Sequence, residues 1–486
     1  MTNKRLLCFL FIINIFFVLS GVCFAQSITW QRIYRNPLGN DAGGFDICQP
    51  DSNNFVIVGL ASGTIPSFYV LKINPYSDTL WTKVFGLGGI ANAVTASGDG
   101  GCVFTGDYGN AFSIKMDTDG NIVWLKDYNG GRGFDIKKTS DGGYIICGDK
   151  TSGFQFKGYV CKTDSLGNLQ WEREYYDGQT VYLFTIDEAI DGNGYVIGGT
   201  KDSTNGRIRG YFFKINNNGD VLWEKTYSLG IDTYLDSFDK KNQGYVFAGN
   251  VYTHSNFDSS RAFVFKTDLN GNLTSLKIFT STKRQSITRF CSQNYNKFFL
   301  SFFTFNTSPP GYGTQIFSLD SNFNTIKQLT LLPDSNSLTL YSLYSIPNST
   351  DIIGCGSNDQ RQFASLDAYA VRLDNALYPP PPIGIKPVSN TIPDTYKLFQ
   401  NFPNPFNPKT TITFDLPKDI EVRLTVYDVL GREIYSINEF RRSGFNKIEF
   451  DGSNLASGVY YYSLEVRQAG SLTGTFAETR KMVLIK

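Results

Sequence analysis

Tryptophans recur in the first half of the chain at nearly regular intervals, and this recurrence limits the fold more than any other feature. The intervals between the five tryptophans, from Trp30 to Trp223, are 51, 43, 47 and 52 residues. At Trp124, Trp171 and Trp223, an Asp or Asn and a glycine turn precede the tryptophan, and a tyrosine follows four positions later. A period of about 50 residues indicates repeated units that stack and bury their apolar faces against one another.

A second recurring phrase lies between the tryptophans and indicates a tight turn followed by a short apolar strand. Residues 140–148 (SDGGYIICG) match residues 98–106 (GDGGCVFTG). Glycine suits the left-handed backbone of a hairpin turn, where a Cβ atom would clash. Each unit therefore contains four predicted strands, a to d, with the tryptophan on strand d. Four strands in about 50 residues are typical of a propeller blade.

Counting the units predicts an all-β fold, a seven-bladed β-propeller. Its last blade takes its fourth strand from residues 27–34, which closes the ring and removes exposed sheet edges. The repeat resembles bacterial seven-bladed β-propeller repeats that read roughly DGGYIxxG … KTDxxGNxxW, over about residues 26–376. Repeats of this kind imply a fold, but no single activity accompanies them.

The segment 396–486 has a different pattern, with alternating strands that predict a C-terminal Ig-like β-sandwich. It contains four characteristic phrases, at 400–408 (QNFPNPFNP), 427–432 (YDVLGR), 455–460 (LASGVY) and 481–486 (KMVLIK). Together these phrases closely resemble the type A C-terminal sorting domain of the type IX secretion system. An ordinary Ig-like adhesion domain is the alternative, and it predicts the same sandwich.

The sorting resemblance implies that the secretion machinery is a partner and that the protein crosses the outer membrane. The resemblance also implies that the tag is removed after export and that the protein is then attached to the cell surface or released. The positions that match the family's motifs are Pro403, Asn404, Pro405, Gly431, Arg432, Gly458, Tyr460, Lys481 and Lys486. We therefore expect a secreted or surface-exposed protein that reaches its destination through the periplasm.

The remaining boundaries follow from local composition. Residues 1–25 combine a basic start with an apolar run over 6–19, which predicts a signal peptide cleaved before Gln26. A membrane anchor is the alternative, although a span needs about 20 apolar residues. Residues 377–395 form a predicted proline-rich linker that opens with four prolines at 379–382. The mature chain is thus expected to have no transmembrane span.

Composition argues against several functions. The formal net charge of +1 lacks the basic footprint of a nucleic-acid-binding protein. The single histidine, His254, falls in a predicted loop, so no multi-histidine metal centre can form. We expect no cofactor and no metal site. The six cysteines after residue 25 are scattered, and we interpret them as small buried apolar residues.

Four aspartates are the candidate site residues in the propeller: Asp46, Asp135, Asp187 and Asp236. They fall near the start of strand a, the innermost strand, and could ring the mouth of the central channel as a ligand or cation site. The alternative is structural, with each carboxylate bonded to backbone amides of the neighbouring blade. The recurring lysines at 72, 115, 162, 214 and 266 alternate with apolar neighbours, which predicts a solvated strand face.

The variable d–a and b–c loops share one face of the predicted propeller, and variable loops on a rigid scaffold commonly carry binding sites. No catalytic constellation is apparent, so the leading hypothesis is a non-enzymatic module that binds an extracellular glycan or protein. A polysaccharide hydrolase or lyase that uses the channel-mouth carboxylates is the alternative. A purely structural component of the cell envelope is a third possibility.

Overall fold

A computed structural model describes most of the chain between Trp30 and Ile485. The described residues are 30–36, 41–86, 88–128, 130–153, 155–241, 244–252, 260–279, 285–294, 297–307, 310–331, 337–347, 349–359, 366–374, 377, 395–401, 404–441, 444–467 and 476–485. The predicted signal peptide, most of the proline-rich linker, His254, Pro403 and Lys486 lie outside them. The chain forms two compact units, Met1–Gly384 (unit 1) and Ile385–Lys486 (unit 2).

Unit 1 is built from four-stranded antiparallel sheets, and the described residues contain seven of them. Sheet 1 comprises β2 (Ala42–Cys48), β3 (Phe55–Ala61), β4 (Ser67–Ile73) and β5 (Thr79–Phe85). Sheet 2 comprises β6 (Ile90–Ala96), β7 (Cys102–Asp107), β8 (Ala111–Met116) and β9 (Ile122–Tyr128). Sheet 3 comprises β10 (Arg132–Lys138), β11 (Tyr144–Ser152), β12 (Gln155–Thr163) and β13 (Leu169–Tyr175).

The next three sheets repeat this order. Sheet 4 comprises β14 (Val181–Glu188), β15 (Tyr195–Asp202), β16 (Ile208–Ile215) and β17 (Val221–Tyr227). Sheet 5 comprises β18 (Asp232–Lys241), β19 (Gly244–Tyr252), β20 (Ser260–Thr267) and β21 (Leu273–Ile278). Sheet 6 comprises β22 (Gln285–Asn294), β23 (Lys297–Thr307), β24 (Pro310–Leu319) and β25 (Thr325–Leu331).

Sheet 7 is completed by the N-terminal strand. It comprises β26 (Ser337–Ser345), β27 (Ile352–Asp359), β28 (Leu366–Leu373) and β1 (Trp30–Tyr34). β1 pairs with β28 in antiparallel register, from Trp30 opposite Arg372 to Tyr34 opposite Ala368. The predicted use of the N-terminus as the last strand of the last sheet is therefore confirmed for these residues.

The first strands of consecutive sheets contact one another, and β2 of sheet 1 also contacts β26 of sheet 7. The sheets therefore follow one another in a closed series with their first strands at the centre, which is the arrangement of a β-propeller. A bulge interrupts the pairing of the first two strands in all seven sheets. The extra residue of each bulge, here called the bulge residue, is Phe45, Asn92, Phe134, Phe184, Asp236, Thr288 or Tyr341.

A contact between the fourth strand and the following sheet recurs around unit 1. A Cβ atom at Gly167 would lie 2.8 Å from the Trp124 ring, and one at Gly271 would lie 2.8 Å from Trp223. The Tyr128 hydroxyl donates to the Gly167 carbonyl oxygen at 3.1 Å. Equivalent bonds join Tyr175 to Gly219, Tyr227 to Gly271 and Tyr34 to Ser77. We call this contact the turn clasp, and in it the tryptophans pack between sheets.

The recurring lysines of the third strand do not lie on a solvated face, so that prediction was wrong. Lys72, Lys162 and Lys214 are buried, because each sheet is covered by a neighbour on both sides. The Lys162 ammonium contacts the Asp141 carboxylate at 2.8 Å, and Lys214 contacts Asp191 at 2.5 Å. Among the described residues, pairs of the same type are Lys72–Asp51, Lys115–Asp99 and Arg372–Asp351. A cation on the third strand thus meets a carboxylate of the turn between the first two strands.

Unit 2 contains a three-stranded and a four-stranded sheet. The smaller sheet has the order β29 (Lys397–Leu398), β30 (Lys409–Leu416) and β33 (Gly444–Asp451). The larger sheet has the order β32 (Glu433–Arg441), β31 (Ile420–Tyr427), β34 (Gly458–Arg467) and β35 (Phe476–Leu484). Alternate residues of these strands, such as Ile412, Leu424 and Leu464, form one buried apolar core. Across the described parts of both units, no helix is long and apolar enough to cross a membrane.

Candidate functional site

Asp46 and Asp135 occupy equivalent positions, each directly after the bulge residue of its first strand. The Asp46 carboxylate accepts a hydrogen bond from the Val94 backbone amide of sheet 2 at 2.9 Å. Asp135 likewise accepts from the Ile186 amide of sheet 4 at 3.0 Å. Both carboxylates therefore join one sheet to the next, which is the geometry that the structural interpretation of these residues predicts.

The other oxygens of these carboxylates also have donors. The Ser342 hydroxyl of sheet 7 donates to Asp46 at 2.7 Å. The Lys137 ammonium and the Ile136 amide donate to Asp135 at 2.7 and 2.9 Å. Because Asp135 is also buried, it faces neighbouring protein groups and not solvent.

Asp187 and Asp236 lie at two further positions of the first strand, so the four aspartates do not form one equivalent set. Asp187 follows the bulge residue of sheet 4 by three residues and accepts a hydrogen bond from Lys240 at 2.9 Å. Burial raises the pKa of Asp187, although the positive charge of Lys240 opposes that change. Asp236 is itself the bulge residue of sheet 5.

Asp236 is the most unusual carboxyl group of the four. Asn250 of the adjacent strand donates to it at 2.7 Å. Burial raises the pKa of Asp236 to about 7, and the Asn250 hydrogen bond and the charge of Arg289 only partly offset this effect. At neutral pH, this side chain is therefore present in both protonated and ionised forms.

In the aspartate-rich turns between the third and fourth strands, the Asp carboxylates accept hydrogen bonds from backbone amides of the same turn. The Asp117 carboxylate accepts from the amides of Asp119 and Asn121 at 2.9 and 2.8 Å. Asp164, Asp268 and Asp320 make the same pair of contacts in their turns. In the part of the chain that the structure describes, no cluster of three potential metal ligands occurs.

Aromatic residues at the bulge are a feature that the sequence analysis missed. Phe45, Phe134, Phe184 and Tyr341 are bulge residues of the innermost strands, and all four are partly exposed. Phe45 and Tyr341 contact edge to face, with centroids 5.3 Å apart. The sequence signal that could have revealed these aromatics is the Gly-Phe-Asp that is repeated at 44–46 and 133–135.

Two of these bulge residues, Phe134 and Phe184, belong to a larger group of side chains in sheets 3 and 4, which we call the aromatic cluster. It comprises Arg132, Phe134, Phe156, Tyr182 and Phe184, all partly exposed. Arg132 begins β10, while Phe156 and Tyr182 are second in β12 and β14. The cluster therefore lies at the ends of these strands where the d–a and b–c loops enter.

Contacts within the aromatic cluster run from one member to the next and return to the first. The Phe134 and Phe184 centroids are 5.7 Å apart, and the Phe184 and Tyr182 rings are parallel at 6.2 Å. Tyr182 and Phe156 follow at 4.9 Å. The Arg132 guanidinium lies over both Phe134 and Phe156, at 5.1 and 5.3 Å from their centroids.

A buried carboxylate fixes the arginine of this cluster. Arg132 donates from Nε and Nη2 to the two Asp149 oxygens at 2.8 and 2.6 Å. Asp149 is fully buried, and burial raises the pKa of its carboxyl group against the opposing effect of Arg132. The paired fork holds the guanidinium plane in one orientation.

In unit 2, the first and last sorting phrases are bound to each other. The Asn404 side chain accepts from the Val483 amide at 2.8 Å, and the Phe406 amide donates to the Val483 carbonyl oxygen at 2.8 Å. Ile485 donates back to Phe406 at 2.9 Å. Pro405 thus lies between two residues that bind β35, and Asn404 also donates to the Lys481 carbonyl oxygen at 3.3 Å.

The two middle phrases reach the same end of the sheet. Asp428 accepts from the backbone and the side chain of Arg432, which closes a turn with Gly431 at φ 76°. The Tyr460 hydroxyl donates to the Ala456 carbonyl oxygen at 2.7 Å, and Gly458 pairs with Leu484 of β35. Tyr427, at the start of this turn, pairs with Tyr461 of β34, next to Tyr460. The phrases therefore lie at one end of the larger sheet although they are far apart in the sequence.

Solved structures similar to the chain share little sequence with it. They include a Bacteroides caccae protein of unknown function (14% identity, TM-score 0.39, covering 58% of this chain and 94% of that one). Others are the Neurospora crassa Pan2 WD40 domain (12%, 0.46, 71% and 96%) and Chaetomium thermophilum Sqt1 (10%, 0.40, 69% and 96%). No curated protein matches the chain.

Residues 400–476 match the family described as the secretion system C-terminal sorting domain. The match includes the first three sorting phrases, whose contacts are described above. A domain of this family directs export by the type IX secretion system and implies interaction with that machinery. The protein therefore carries a type IX sorting domain and is exported to the cell surface or the extracellular space.

Proposed function

We propose that unit 1 is a seven-bladed β-propeller that acts outside the cell as a non-enzymatic binding module for a glycan or protein. Residues 1–25 serve as a signal peptide, 377–395 as a linker and 396–486 as an Ig-like sorting domain. The observation that carries the binding role is the set of partly exposed aromatic side chains on the innermost strands. Large apolar side chains at an accessible position commonly mark a ligand-binding surface.

The contacts of Asp46 and Asp135 support a structural role for these two side chains. Each carboxylate accepts a hydrogen bond from a backbone amide of the next sheet, so a substitution of either aspartate would remove a link between sheets. The loop-entry end of the innermost strands is therefore the better candidate for ligand contact.

A binding screen tests this proposal. The full secreted protein, captured on a surface, would be exposed to extracellular polysaccharides and to proteins secreted by the same cells. Specific, saturable binding that competes with an excess of free ligand is the expected result. Failure of every glycan and every protein to bind would favour the envelope-component alternative.

A hydrolase or lyase is the second candidate, and the raised pKa of Asp236 favours it. A carboxyl group that keeps its proton near neutral pH can serve as a general acid. Turnover of a polysaccharide that is lost in Asp236→Asn, with binding retained, would establish catalysis. A screen without turnover would leave the binding role.

The sorting residues are proposed to act together at the end of unit 2 where the phrases converge. A chain that lacks residues 396–486 is expected to accumulate in the periplasm, as measured by fractionation and immunoblotting. Display of that truncated chain on intact cells would contradict the proposal.

A further inference from the structure

We propose that the aromatic cluster of sheets 3 and 4 is a subsite for a neutral sugar ring of an extracellular glycan. This inference rests on the proposed binding function and specifies its ligand. The five side chains come from three strands, β10, β12 and β14, yet they make one continuous series of contacts. They are thus prepositioned before any ligand arrives.

Ring geometry indicates which ligand chemistry fits. Tyr182 and Phe184 are nearly parallel, with an interplanar angle of 3°, and both remain partly exposed. A pyranose has C–H groups on its faces and hydroxyl groups around its edge. Its faces can pack on aromatic rings while its hydroxyl groups bind polar neighbours.

Arg132 provides a polar group at the edge of the rings. Its Nε and Nη2 donate to Asp149, whereas Nη1 has no hydrogen-bond partner among the described residues. The side chain is 36% exposed, so the Nη1 donors can reach a ligand. Because Asp149 and the two flanking phenyl rings fix the guanidinium, its donors point in a constant direction.

Local charge argues for a neutral sugar over an acidic one. The Asp149 carboxylate neutralises Arg132 at contact distance. The negative charge of Asp107 lies close enough to raise the pKa values of both Arg132 and Asp149. Lys150 and Lys157, the sequence neighbours of Asp149 and Phe156, both pair with the Glu174 carboxylate. The three cations and three carboxylates therefore leave no excess positive charge, and a uronic acid would gain no favourable field.

The test uses the full secreted protein and defined oligosaccharides. Cellohexaose, mannohexaose and maltohexaose are the neutral probes, oligogalacturonate is the acidic probe, and a proline-rich decapeptide represents polypeptides that dock on aromatic surfaces. Isothermal titration would be run on the parent and on two matched variants, Phe184→Ala and Tyr76→Ala. Phe184 is the bulge residue of sheet 4, whereas Tyr76 is an aromatic residue that is 48% exposed on the turn between β4 and β5 of sheet 1.

We expect at least one neutral probe to bind, and we expect Phe184→Ala to weaken its affinity at least about tenfold, the usual effect of truncating a central contact. Tyr76→Ala should change the affinity less than about twofold, because Tyr76 lies on a turn between the third and fourth strands and not on an innermost strand. Thermal unfolding of each variant shows whether it remains folded, and Tyr182→Ala is a second test if Phe184→Ala does not fold.

The inference would be overturned if all neutral probes failed to bind, if oligogalacturonate bound in preference to them, or if the two matched variants lost affinity equally. Binding of the peptide without any neutral sugar would also contradict it, but the proposed binding function would stand. Absence of binding to every glycan and protein in the wider screen would contradict both.

Discussion

The outer strands of unit 1 repeat the same side-chain contacts from sheet to sheet, whereas the inner strands repeat only the backbone geometry. On the outer strands, the same clasp recurs, as in Tyr128 with Gly167 and Tyr175 with Gly219. At the bulge of the inner strands, the backbone recurs but the side chains differ, from Asn92 to Phe184 to Asp236. The clasps hold the sheets together, while the bulge positions vary because packing between sheets does not dictate them.

This difference separates scaffold from candidate site more clearly than exposure alone does. Val123 is 55% exposed on an outer strand, yet its neighbour Trp124 belongs to a clasp. Phe184 is only partly exposed, but it lies at a variable position and contacts the rings of Phe134 and Tyr182. The following substitutions test the division, beginning with the largest expected effect on folding stability.

The clasp should tolerate no side chain on its glycine. Gly167→Ala would place Cβ 2.8 Å from the Trp124 ring at a residue with φ of 77°. We expect the free energy of unfolding to fall by about 2–4 kcal/mol, from left-handed strain and overpacking together. Denaturant titration of the purified protein measures this loss.

Gly206→Ala is the matched control for that substitution. Gly206 has a φ of 72°, but a Cβ atom there would meet nothing within 4 Å. Only the backbone strain of about 1 kcal/mol remains. Equal losses for the two variants would show that the clasp adds nothing to stability.

The ion pair between the buried Lys162 and Asp141 is expected to give the next largest effect on folding stability. Asp141→Ala leaves the buried Lys162 ammonium without its carboxylate, although Lys162 still donates to Thr163 and Gln170. We expect a loss of about 2 kcal/mol, less than for a fully buried pair, because Asp141 is half exposed.

The exposed pair between Lys409 and Asp451 in unit 2 is the control for the buried one. Its ammonium is 72% exposed and lies 3.8 Å from the carboxylate. Lys409→Ala should therefore leave the denaturation midpoint unchanged. A comparable loss in both variants would contradict the importance of burial for the third-strand lysines.

These lysines also show where sequence reasoning failed. Alternation of Lys162 with apolar neighbours predicts a half-solvated strand if one face of the sheet meets water. In unit 1, both faces of the sheet are covered, so the lysine needs a carboxylate from a turn. The glycine and tryptophan phrases, in contrast, predicted the strands and the closing role of β1, because turn chemistry acts locally.

Asp236, the bulge residue of an inner strand, is expected to make folding stability depend on pH. Its pKa is raised to about 7 in the folded protein, whereas an unfolded Asp titrates near 4. The folded state therefore binds the extra proton between about pH 4 and 7, and stability falls as pH rises through that range.

Asp236→Asn should remove this dependence. We expect it to stabilise the protein by on the order of 1 kcal/mol at pH 8, after allowance for partial solvent screening, and to have little effect at pH 5. Unfolding measured at the two pH values tests the prediction. Stabilisation of the same size at both values would show that ionisation of Asp236 is not the cause.

The smallest effect is expected for one hydroxyl of the clasp. Tyr175→Phe removes the 2.8 Å hydrogen bond to the Gly219 carbonyl oxygen but keeps the ring. A loss of about 1 kcal/mol is expected, because one buried hydrogen bond is lost while the ring keeps its packing. Tyr341→Phe, at a variable inner position, should cost less, and the reverse order would contradict the comparison.

The candidate site was only partly predictable from sequence. Their positions near the start of strand a placed Asp46, Asp135 and Asp236 in one class, but Asp236 is the bulge residue itself, whereas the other two directly follow it. A one-residue shift changes which side of a strand a side chain occupies. The aromatic cluster depends on contacts between β10, β12 and β14, which no local pattern reports.

Hydrogen–deuterium exchange with a bound neutral oligosaccharide tests the central claim most directly. If the inner strands bind ligand and the outer clasps are scaffold, protection should increase over 132–136 and 181–186 and remain unchanged over the turn at 164–168. Protection confined to the turns between the third and fourth strands would contradict the account.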